Sequence, residues 1–184
     1  MRIVAGKHKG RPLSAPKGRD TRPTSDRARE AIFNVLDHGP GPGLNGARVA
    51  DLFAGTGALG LEALSRGAEH CIFVESQRGA MRTLRDNIHL LGEDAATTLV
   101  DKKAANIAVP PGGPVDYAFL DAPYDQGLSE PALQALAENG WLNDNCVILV
   151  EVAKSEALSP PPGFEVIKEK TYGAARAVFL TFHA

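Results

Sequence analysis

The fold is decided by an apolar run that leads directly into a glycine-rich turn, at residues 48–60, RVADLFAGTGALG. The run has the length of a buried strand, and the glycines allow a tight turn into a helix. Beyond it, short apolar runs alternate with helical patterns, which is typical of a parallel sheet built from strand and helix units. The predicted strands are 48–53, 70–75, 97–101, 115–121 and 146–152, and the predicted helices between them are 58–66, 77–91 and 128–139.

The end of the chain has a different pattern. After the prolines and glycine of 160–163, two extended runs, 164–171 and 176–182, flank Tyr172-Gly173 with no helical pattern between them. Strands joined by so short a turn pair antiparallel. The sequence therefore predicts an open, mostly parallel sheet that is finished by a terminal antiparallel hairpin.

The start of the chain predicts a small basic hairpin, because two short extended runs flank a turn rich in Lys, His and Gly. A helix capped by Thr24 or Ser25 is expected to follow, through about Asp37. We expect residues 1–23 to form an N-terminal extension, and residues 24–184 to form one Rossmann-like α/β domain with a seven-stranded sheet.

Charge is distributed unevenly along a chain whose formal net charge is −2. Residues 1–30 hold nine Lys and Arg against three acids, which gives +6 there and −8 over the remainder. This pattern indicates a surface that binds nucleic-acid phosphates, and the alternative is a basic arm that is only solvated. The candidate RNA-binding residues are Arg2, Lys7, Lys9, Arg11, Arg22 and Arg27.

Composition argues against several other classes of protein. Cys71 and Cys146 lie far apart in apolar runs, which predicts buried thiols rather than a disulfide or a metal site. The five histidines have no metal-ligand spacing, so no metal is expected. The purest apolar run, 146–150, is far too short to span a bilayer. We expect a cytoplasmic protein that does not bind a membrane.

The glycine turn fits two classes of cofactor, nicotinamide dinucleotides and S-adenosylmethionine. Glu75 ends the second predicted strand twenty residues after Gly55, where an acid accepts hydrogen bonds from ribose hydroxyls in both classes. Asp51 favours S-adenosylmethionine, because its carboxylate would repel a pyrophosphate but suits an ammonium group. The candidate cofactor-binding residues are Asp51, Phe53, Ala54, Gly55, Thr56, Gly57, Glu75, Ser76 and Asp101.

A polar and aromatic tetrapeptide, Asp121-Ala122-Pro123-Tyr124, ends the fourth predicted strand. It resembles the D-P-P-Y motif of amino-group methyltransferases. The Asp121 carboxylate and the Ala122 carbonyl can each accept one hydrogen of an exocyclic amine, which frees the nitrogen lone pair for attack on a methyl group. Tyr124 can stack on a base removed from its helix. The predicted catalytic residues are therefore Asp121, Ala122, Pro123 and Tyr124.

Three segments together resemble the bacterial 16S ribosomal RNA guanine-N2 methyltransferase family: residues 22–30 (RPTSDRARE), 53–67 (FAGTGALGLEALSRG) and 139–142 (NGWL). The resemblance covers essentially the whole chain. It implies the class I methyltransferase fold, S-adenosylmethionine as cofactor, 16S rRNA or the small ribosomal subunit as partner, and N2-methylguanosine as product, at the guanine(966)-N(2) site. It also implies that the N-terminal extension helps to recognise the assembled substrate. A monomer is expected.

Two residues depart from the family pattern. Ala122 stands where the motif has its first proline, which keeps the carbonyl but leaves the turn less constrained. Lys102 stands where many relatives have an acid that contacts the cofactor adenine, and Asp101 is the nearest substitute. Arg29 is expected either to pair with Glu30 or to contact the pocket or RNA.

Three other functions stay open at this point. An adenine-N6 methyltransferase acting on DNA or RNA could use the same tetrapeptide, since it accepts either amine. An NAD-dependent oxidoreductase is disfavoured by Asp51 and by the absence of an evident second substrate domain. A non-catalytic ribosome-assembly RNA binder is conceivable because of Ala122 and Lys102.

Overall fold

A computed structural model describes residues 1–15 and 25–183 of the chain. The strands are β1 (Arg48–Leu52), β2 (His70–Val74), β3 (Thr97–Val100), β4 (Val115–Asp121), β5 (Leu142–Ala153), β6 (Phe164–Tyr172) and β7 (Ala175–Phe182). The helices are α1 (Asp26–His38), α2 (Ala58–Ser65), α3 (Arg78–Leu91) and α4 (Ser129–Glu138). Short 3₁₀ turns occupy Gly6–His8, Asp94–Ala96 and Ala104–Asn106.

The strands form one seven-stranded sheet in the order β3-β2-β1-β4-β5-β7-β6. β1 to β5 are parallel, and β7 pairs antiparallel with both β5 and β6. This confirms the predicted class I methyltransferase sheet with its terminal antiparallel hairpin. The chain moves outward from β1 to β3 and then returns to place β4 on the other side of β1, and such a reversal leaves a crevice at the carboxyl ends of β1 and β4.

Two apolar layers cover the sheet because successive residues of a strand point to opposite faces. One layer packs the strands against α1, α2 and α3, and includes Phe33, Phe73 and Phe119. The other packs them against α4 and includes Trp141. Phe33 and Phe119 meet edge to face with their ring centroids 5.7 Å apart. Both predicted core thiols, Cys71 and Cys146, are buried and free.

β5 begins four residues earlier than the apolar run at 146–152 predicted. Three of its four extra residues are polar, and one of them, Asn145, adopts a positive φ of 63° where the register between β4 and β5 is irregular. Asn143 remains in the strand by donating to the Asp116 carboxylate at 2.8 Å. A side-chain hydrogen bond to the neighbouring strand therefore extends β5 beyond the part that hydrophobicity predicts.

The N-terminal segment, residues 1–15, folds back on itself through one bridge, between Arg2 and Pro12. Ile3 donates to the Arg11 carbonyl at 2.9 Å, and the turn between the two runs is a 3₁₀ helix rather than a tight hairpin turn. Ile3 and Leu13 are buried in the layer that contains α2. The segment is therefore docked on the domain by apolar contacts as well as by hydrogen bonds.

Buried charges fix this docking. Glu62 of α2 is fully buried and accepts the backbone N–H groups of Val4 and Ala5 at 2.8 and 2.9 Å. Its partners also include Arg66, at 2.9 Å. Because a buried carboxylate is costly unless hydrogen-bonded, these contacts hold the segment in one place on α2.

Arg29 does not pair with Glu30, so that part of the expectation is wrong. Arg29 is 1% exposed, donates to the Arg2 carbonyl and lies 2.9 Å from Asp26 and 3.8 Å from Glu62. Glu30 is exposed. The reason is helical geometry, since neighbouring residues of a helix point in directions about 100° apart and cannot face each other. Arg29 therefore joins α1 to the N-terminal segment.

Ser25 caps α1 by accepting the Ala28 N–H at 3.1 Å, as one of the two predicted alternatives requires. Thr24 lies outside the described residues.

None of the helices described is long and apolar enough to cross a membrane. Within residues 1–15 and 25–183, no group of three His, Cys, Asp or Glu side chains is arranged to hold a metal ion.

Candidate active site

Four carboxylates meet at the carboxyl edge of the sheet. Asp51, Asp121 and Glu151 lie near the ends of β1, β4 and β5, and Glu75 directly follows β2. Phe73 and Phe119 are the register partners of Asp51, and Asp121 is the register partner of Glu151. Strand alternation therefore directs all four side chains toward the face covered by α1, α2 and α3.

The glycine turn after β1 depends on backbone conformations that side chains resist. Gly55 and Gly57 have φ values of 56° and 81°, and Gly57 is the residue from which α2 begins. A Cβ atom on Gly57 would come within 2.5 Å of a Leu84 methyl group, so the Leu84 side chain would have to shift. Phe53 also has a positive φ, 62°, a strained conformation of the kind that clusters at functional sites. The turn brings bare backbone close to the edge of the sheet.

Asp51 is 2% exposed and accepts the Gly60 N–H at 2.9 Å. That N–H belongs to the first turn of α2 and has no partner within the helix. Burial raises the pKa of Asp51 to about 8, and the nearby charge of Glu75 adds to the rise while the Gly60 hydrogen bond opposes it. A cation placed beside Asp51 would favour its ionised form, so the site is suited to an ammonium group.

Glu75 connects the glycine turn to α3. One carboxylate oxygen accepts the Gly55 N–H at 2.9 Å, and the other accepts the N–H groups of Ser76 and Gln77 at 2.8 and 2.7 Å. These bonds hold the carboxylate in one orientation. Since each oxygen can accept more than one hydrogen bond, Glu75 could also accept ribose hydroxyls.

The other candidate cofactor residues lie around this turn. Ala54 and Thr56 are buried, and Thr56 is held by a 2.9 Å hydrogen bond from Asn87 to its carbonyl. Ser76 and Asp101 are exposed. Asp101 follows β3, whose last residue, Val100, accepts the Glu75 N–H at 3.1 Å, so the ends of β2 and β3 are adjacent. Lys102 is exposed next to Asp101.

The predicted catalytic tetrapeptide begins at the last residue of β4. Asp121 is partly buried, Ala122 is 5% exposed and Pro123 is exposed. Burial raises the pKa of Asp121 well above its usual value, and the charges of Glu151 and Asp51 raise it further. A carboxylate with a raised pKa has a high affinity for protons, which suits it to accept the hydrogens of an amine.

Sequence reasoning missed Glu151. It is 5% exposed, and its carboxylate accepts a 2.6 Å hydrogen bond from the Tyr124 hydroxyl. The available signal was the same as for Asp51 and Asp121, an acid that ends an apolar run predicted to be a parallel strand. Glu151 therefore belongs to the same group of carboxylates.

Several of the candidate RNA-binding cations make contacts within the protein. Arg2 lies 2.8 Å from Asp26, Lys7 lies 2.6 Å from Glu93, and Arg11 donates to the Leu90 carbonyl at 2.8 Å. Lys9 and Arg27 are both exposed. In the described part of the chain, no ion pair involves either of these two. Arg22 lies outside the described residues.

A cavity of about 420 Å³ lies elsewhere, at the end of α1 and the start of β5. His38, Val147, Lys168 and Phe179 are among its lining residues. None of the four carboxylates lines it. Ligands of open α/β sheets bind at the carboxyl ends, so the carboxylate edge is the candidate active site.

Comparisons with known proteins show that the chain is similar to methyltransferases. The family model described as Conserved hypothetical protein 95 matches residues 1–181. The Ribosomal RNA small subunit methyltransferase D of Haemophilus influenzae is 36% identical over 176 residues, which cover 94% of this chain and 89% of the relative. The Escherichia coli protein of the same name is 37% identical over 174 residues, covering 94% and 85%. Among solved structures, the Escherichia coli protein yhhF, described as a methyltransferase, superposes with a TM-score of 0.86 at 33% identity, covering 100% of this chain and 98% of that one.

Proposed function

The chain belongs to the family described as Conserved hypothetical protein 95 and is a methyltransferase, and on that premise we propose that it methylates the exocyclic N2 amino group of a guanine in 16S rRNA. The observation that carries the proposal is the position of Asp121-Ala122-Pro123-Tyr124 at the carboxyl end of β4, beside the glycine turn that follows β1. The names of the relatives support ribosomal RNA of the small subunit as substrate. The guanine(966)-N(2) site is proposed from the family alone.

The residues at the carboxyl edge fit S-adenosylmethionine. Asp51, with its raised pKa, would pair with the ammonium group, and the fixed Glu75 carboxylate would accept the ribose hydroxyls. The glycine turn would let the backbone approach the ligand, and Asp101 lies at the end of the adjacent strand. When bound, this cofactor supplies an activated methyl group on a cationic sulfur.

Asp121 and Ala122 prepare the amine for attack. The exocyclic nitrogen of guanine is a poor nucleophile because its lone pair is delocalised into the ring. If the Asp121 carboxylate and the Ala122 carbonyl each accept one of its hydrogens, the nitrogen becomes tetrahedral and its lone pair is available. Bound S-adenosylmethionine would supply the methyl group to this nitrogen, and its sulfur would keep the electron pair of the broken carbon–sulfur bond. The nitrogen, now positively charged, releases a proton to Asp121, whose raised pKa favours that transfer.

Tyr124 would hold the target base. A guanine within a helix is inaccessible to the edge of the sheet, so it must be turned outward before reaction. The Tyr124 ring then provides a stacking surface next to Asp121, and stacking does not depend on which base is present. Hydrogen bonds to the amine would activate its nitrogen, and the Tyr124 ring would hold the target base in position.

The N-terminal segment and the start of α1 would bind RNA phosphates. Lys9 and Arg27 are exposed, whereas Arg2, Lys7 and Arg11 would have to exchange their present partners for phosphates. Phosphate contacts of this kind position a protein on RNA without selecting a sequence. We expect a monomer that works in the cytoplasm, where it would meet small ribosomal subunits.

A methylation assay with nucleoside analysis tests the proposal. Small subunits and free 16S rRNA, both lacking the modification, would be incubated with the protein and labelled S-adenosylmethionine, and the labelled nucleoside identified by mass spectrometry. N2-methylguanosine is expected. N6-methyladenosine would show instead an adenine-specific enzyme. Binding of RNA with no methyl transfer would show a non-catalytic assembly factor.

A further inference from the structure

Glu151 is the one member of the carboxylate group to which no role has yet been given. It lies in the interior of the sheet, since β5 is paired with β4 on one side and β7 on the other, and its register partners are Asp121 and Ala177. The Tyr124 hydroxyl donates to it at 2.6 Å. The Glu151 side chain thus contacts the proposed stacking residue, Tyr124, and lies on the strand beside the proposed hydrogen acceptor, Asp121.

We propose that Glu151 is a positioning residue of the transfer site: it holds the Tyr124 ring in place for the target base, and it keeps Asp121 a strong acceptor for the hydrogens of the amine. The inference rests on the proposed function, because it assigns a task to Glu151 within that reaction. Glu151 acts through the other two residues and need not touch the substrate.

The first task follows from the difference between a strand and a loop. Tyr124 lies on the segment between β4 and α4, in which Pro123 and Asp125 are exposed and Asp125 has a positive φ of 56°. The backbone at Glu151 is held in the sheet, because β5 pairs with β4 on one side and with β7 on the other. The hydrogen bond between them ties the ring of a loop residue to the sheet, and a ring held in advance loses less freedom when a base stacks on it.

The second task follows from charge. Among the described residues, the charges that act on Asp121 are those of Glu151 from β5 and Asp51 from β1. Phe33 of α1 packs on Phe119, two residues before Asp121, and is apolar. Beyond the effect of burial, the charge of Glu151 raises the pKa of Asp121, and a higher pKa makes the ionised carboxylate a stronger acceptor.

The variant Glu151→Gln separates these two tasks, because the amide keeps an oxygen for Tyr124 but has no charge. Single-turnover methylation of small subunits, measured against pH, should show its acid limb moved to lower pH, since Asp121 loses a like-charged neighbour. The apparent KM for small subunits should stay within about twofold of the wild-type value. A purely structural role for Glu151 would not move the pH profile.

A double-mutant cycle tests the hydrogen bond. Tyr124→Phe and Glu151→Ala should each raise KM for small subunits by about fivefold, the factor that corresponds to roughly 1 kcal/mol for one hydrogen bond. Combining them should raise KM little further, because each variant removes the same contact. Tyr124→Phe should remain active because its ring can still stack.

A control variant should show no effect on either measurement. Glu138→Gln, an exposed carboxylate at the far end of α4, should leave both KM and the pH profile unchanged. An unmoved acid limb in folded Glu151→Gln would overturn the electrostatic task, and additive effects in the cycle would overturn the positioning task. If Glu151→Ala does not fold, Tyr124→Phe alone tests the positioning task. An unchanged KM for small subunits in Tyr124→Phe would then refute that task. A wild-type product other than N2-methylguanosine would refute the proposed function, while the pH comparison would still test Glu151.

Discussion

The backbone N–H of Gly55 donates a 2.9 Å hydrogen bond to the carboxylate of Glu75, and the residue proposed to contact the cofactor ribose therefore also holds the glycine turn. The second oxygen of that carboxylate accepts the N–H groups of Ser76 and Gln77, the two residues that precede α3. The turn and the start of α3 are thus held by the same side chain, so the shape of the proposed cofactor site and its capacity for hydrogen bonds both depend on Glu75.

Replacing Glu75 by Ala should weaken S-adenosylmethionine binding by about 1–3 kcal/mol, through the lost ribose bonds and a less ordered turn. Isothermal titration calorimetry on the folded variant measures this directly. Glu69→Ala, which removes an exposed carboxylate just before β2, is the matched control and should bind as the wild type does. Wild-type affinity in Glu75→Ala would refute the ribose assignment.

Replacing Asp121 by Ala should lower the single-turnover rate by about 10²–10³-fold, because it removes an acceptor that strengthens as the amine becomes tetrahedral. Affinity for S-adenosylmethionine should be nearly retained, since the assigned cofactor contacts are made by other residues. Ala122→Pro should be tolerated in the same assay, because the carbonyl that accepts the second hydrogen is kept. A near-normal rate in Asp121→Ala would remove this residue from the mechanism.

The exposed cations of the N-terminal region should determine how RNA binding responds to salt. Neutralising Lys9 and Arg27 together should reduce the slope of log affinity against log salt concentration by about one to two units, through fewer displaced counterions. Cofactor affinity should not change. The double variant Lys168→Gln and Lys170→Gln removes two exposed charges from β6 and should leave the slope as it is. Equal slopes for all three proteins would mean that the basic region is only solvated.

Stability of the cofactor-free protein should fall as pH rises from about 4 to 8. The folded protein retains a proton on Asp51, whose pKa is about 8, whereas the unfolded chain loses it near the ordinary value of 3.8. The stabilisation is therefore complete below that ordinary value and is lost as pH rises through about 8. Asp121, whose pKa is also raised, adds an effect of the same sign.

Urea unfolding of wild type and Asp51→Asn across this pH range measures the effect. The variant should show a flatter dependence of unfolding free energy on pH, because its amide can still accept the Gly60 N–H but does not titrate. Saturating S-adenosylmethionine should flatten the wild-type dependence as well, since an ammonium group beside Asp51 would lower its pKa. Parallel curves for the two proteins without cofactor would contradict the assignment of this pKa.

Local patterns were enough to predict much of the molecule. The strands from β1 to β4, the helices between them and the terminal hairpin follow from hydrophobic periodicity and from turn residues, which act over a few positions. The glycine turn after Asp51 and the tetrapeptide at Asp121 are contiguous in sequence, so their chemistry is visible without a structure.

Other features are decided only when distant segments become neighbours. The role proposed for Glu151 depends on the position of β5 beside β4. This pairing makes Glu151 the register partner of Asp121, which is 30 residues earlier in the chain. Arg29 finds its partners on α2 and at Arg2 rather than at the adjacent Glu30. Lys7 and Arg11 appear in the sequence as free cations, yet the fold places them against Glu93 and Leu90.

The physical reason for this division is the range of the interactions. The sequence by itself determined which segments are strands and helices, and where the glycine turn and the tetrapeptide proposed to bind the amine stand, because backbone conformation responds to adjacent residues. The tertiary structure alone decided which charges are buried together and which are already paired. Desolvation and Coulomb interactions depend on distance in space, and strand order, not sequence separation, determines that distance.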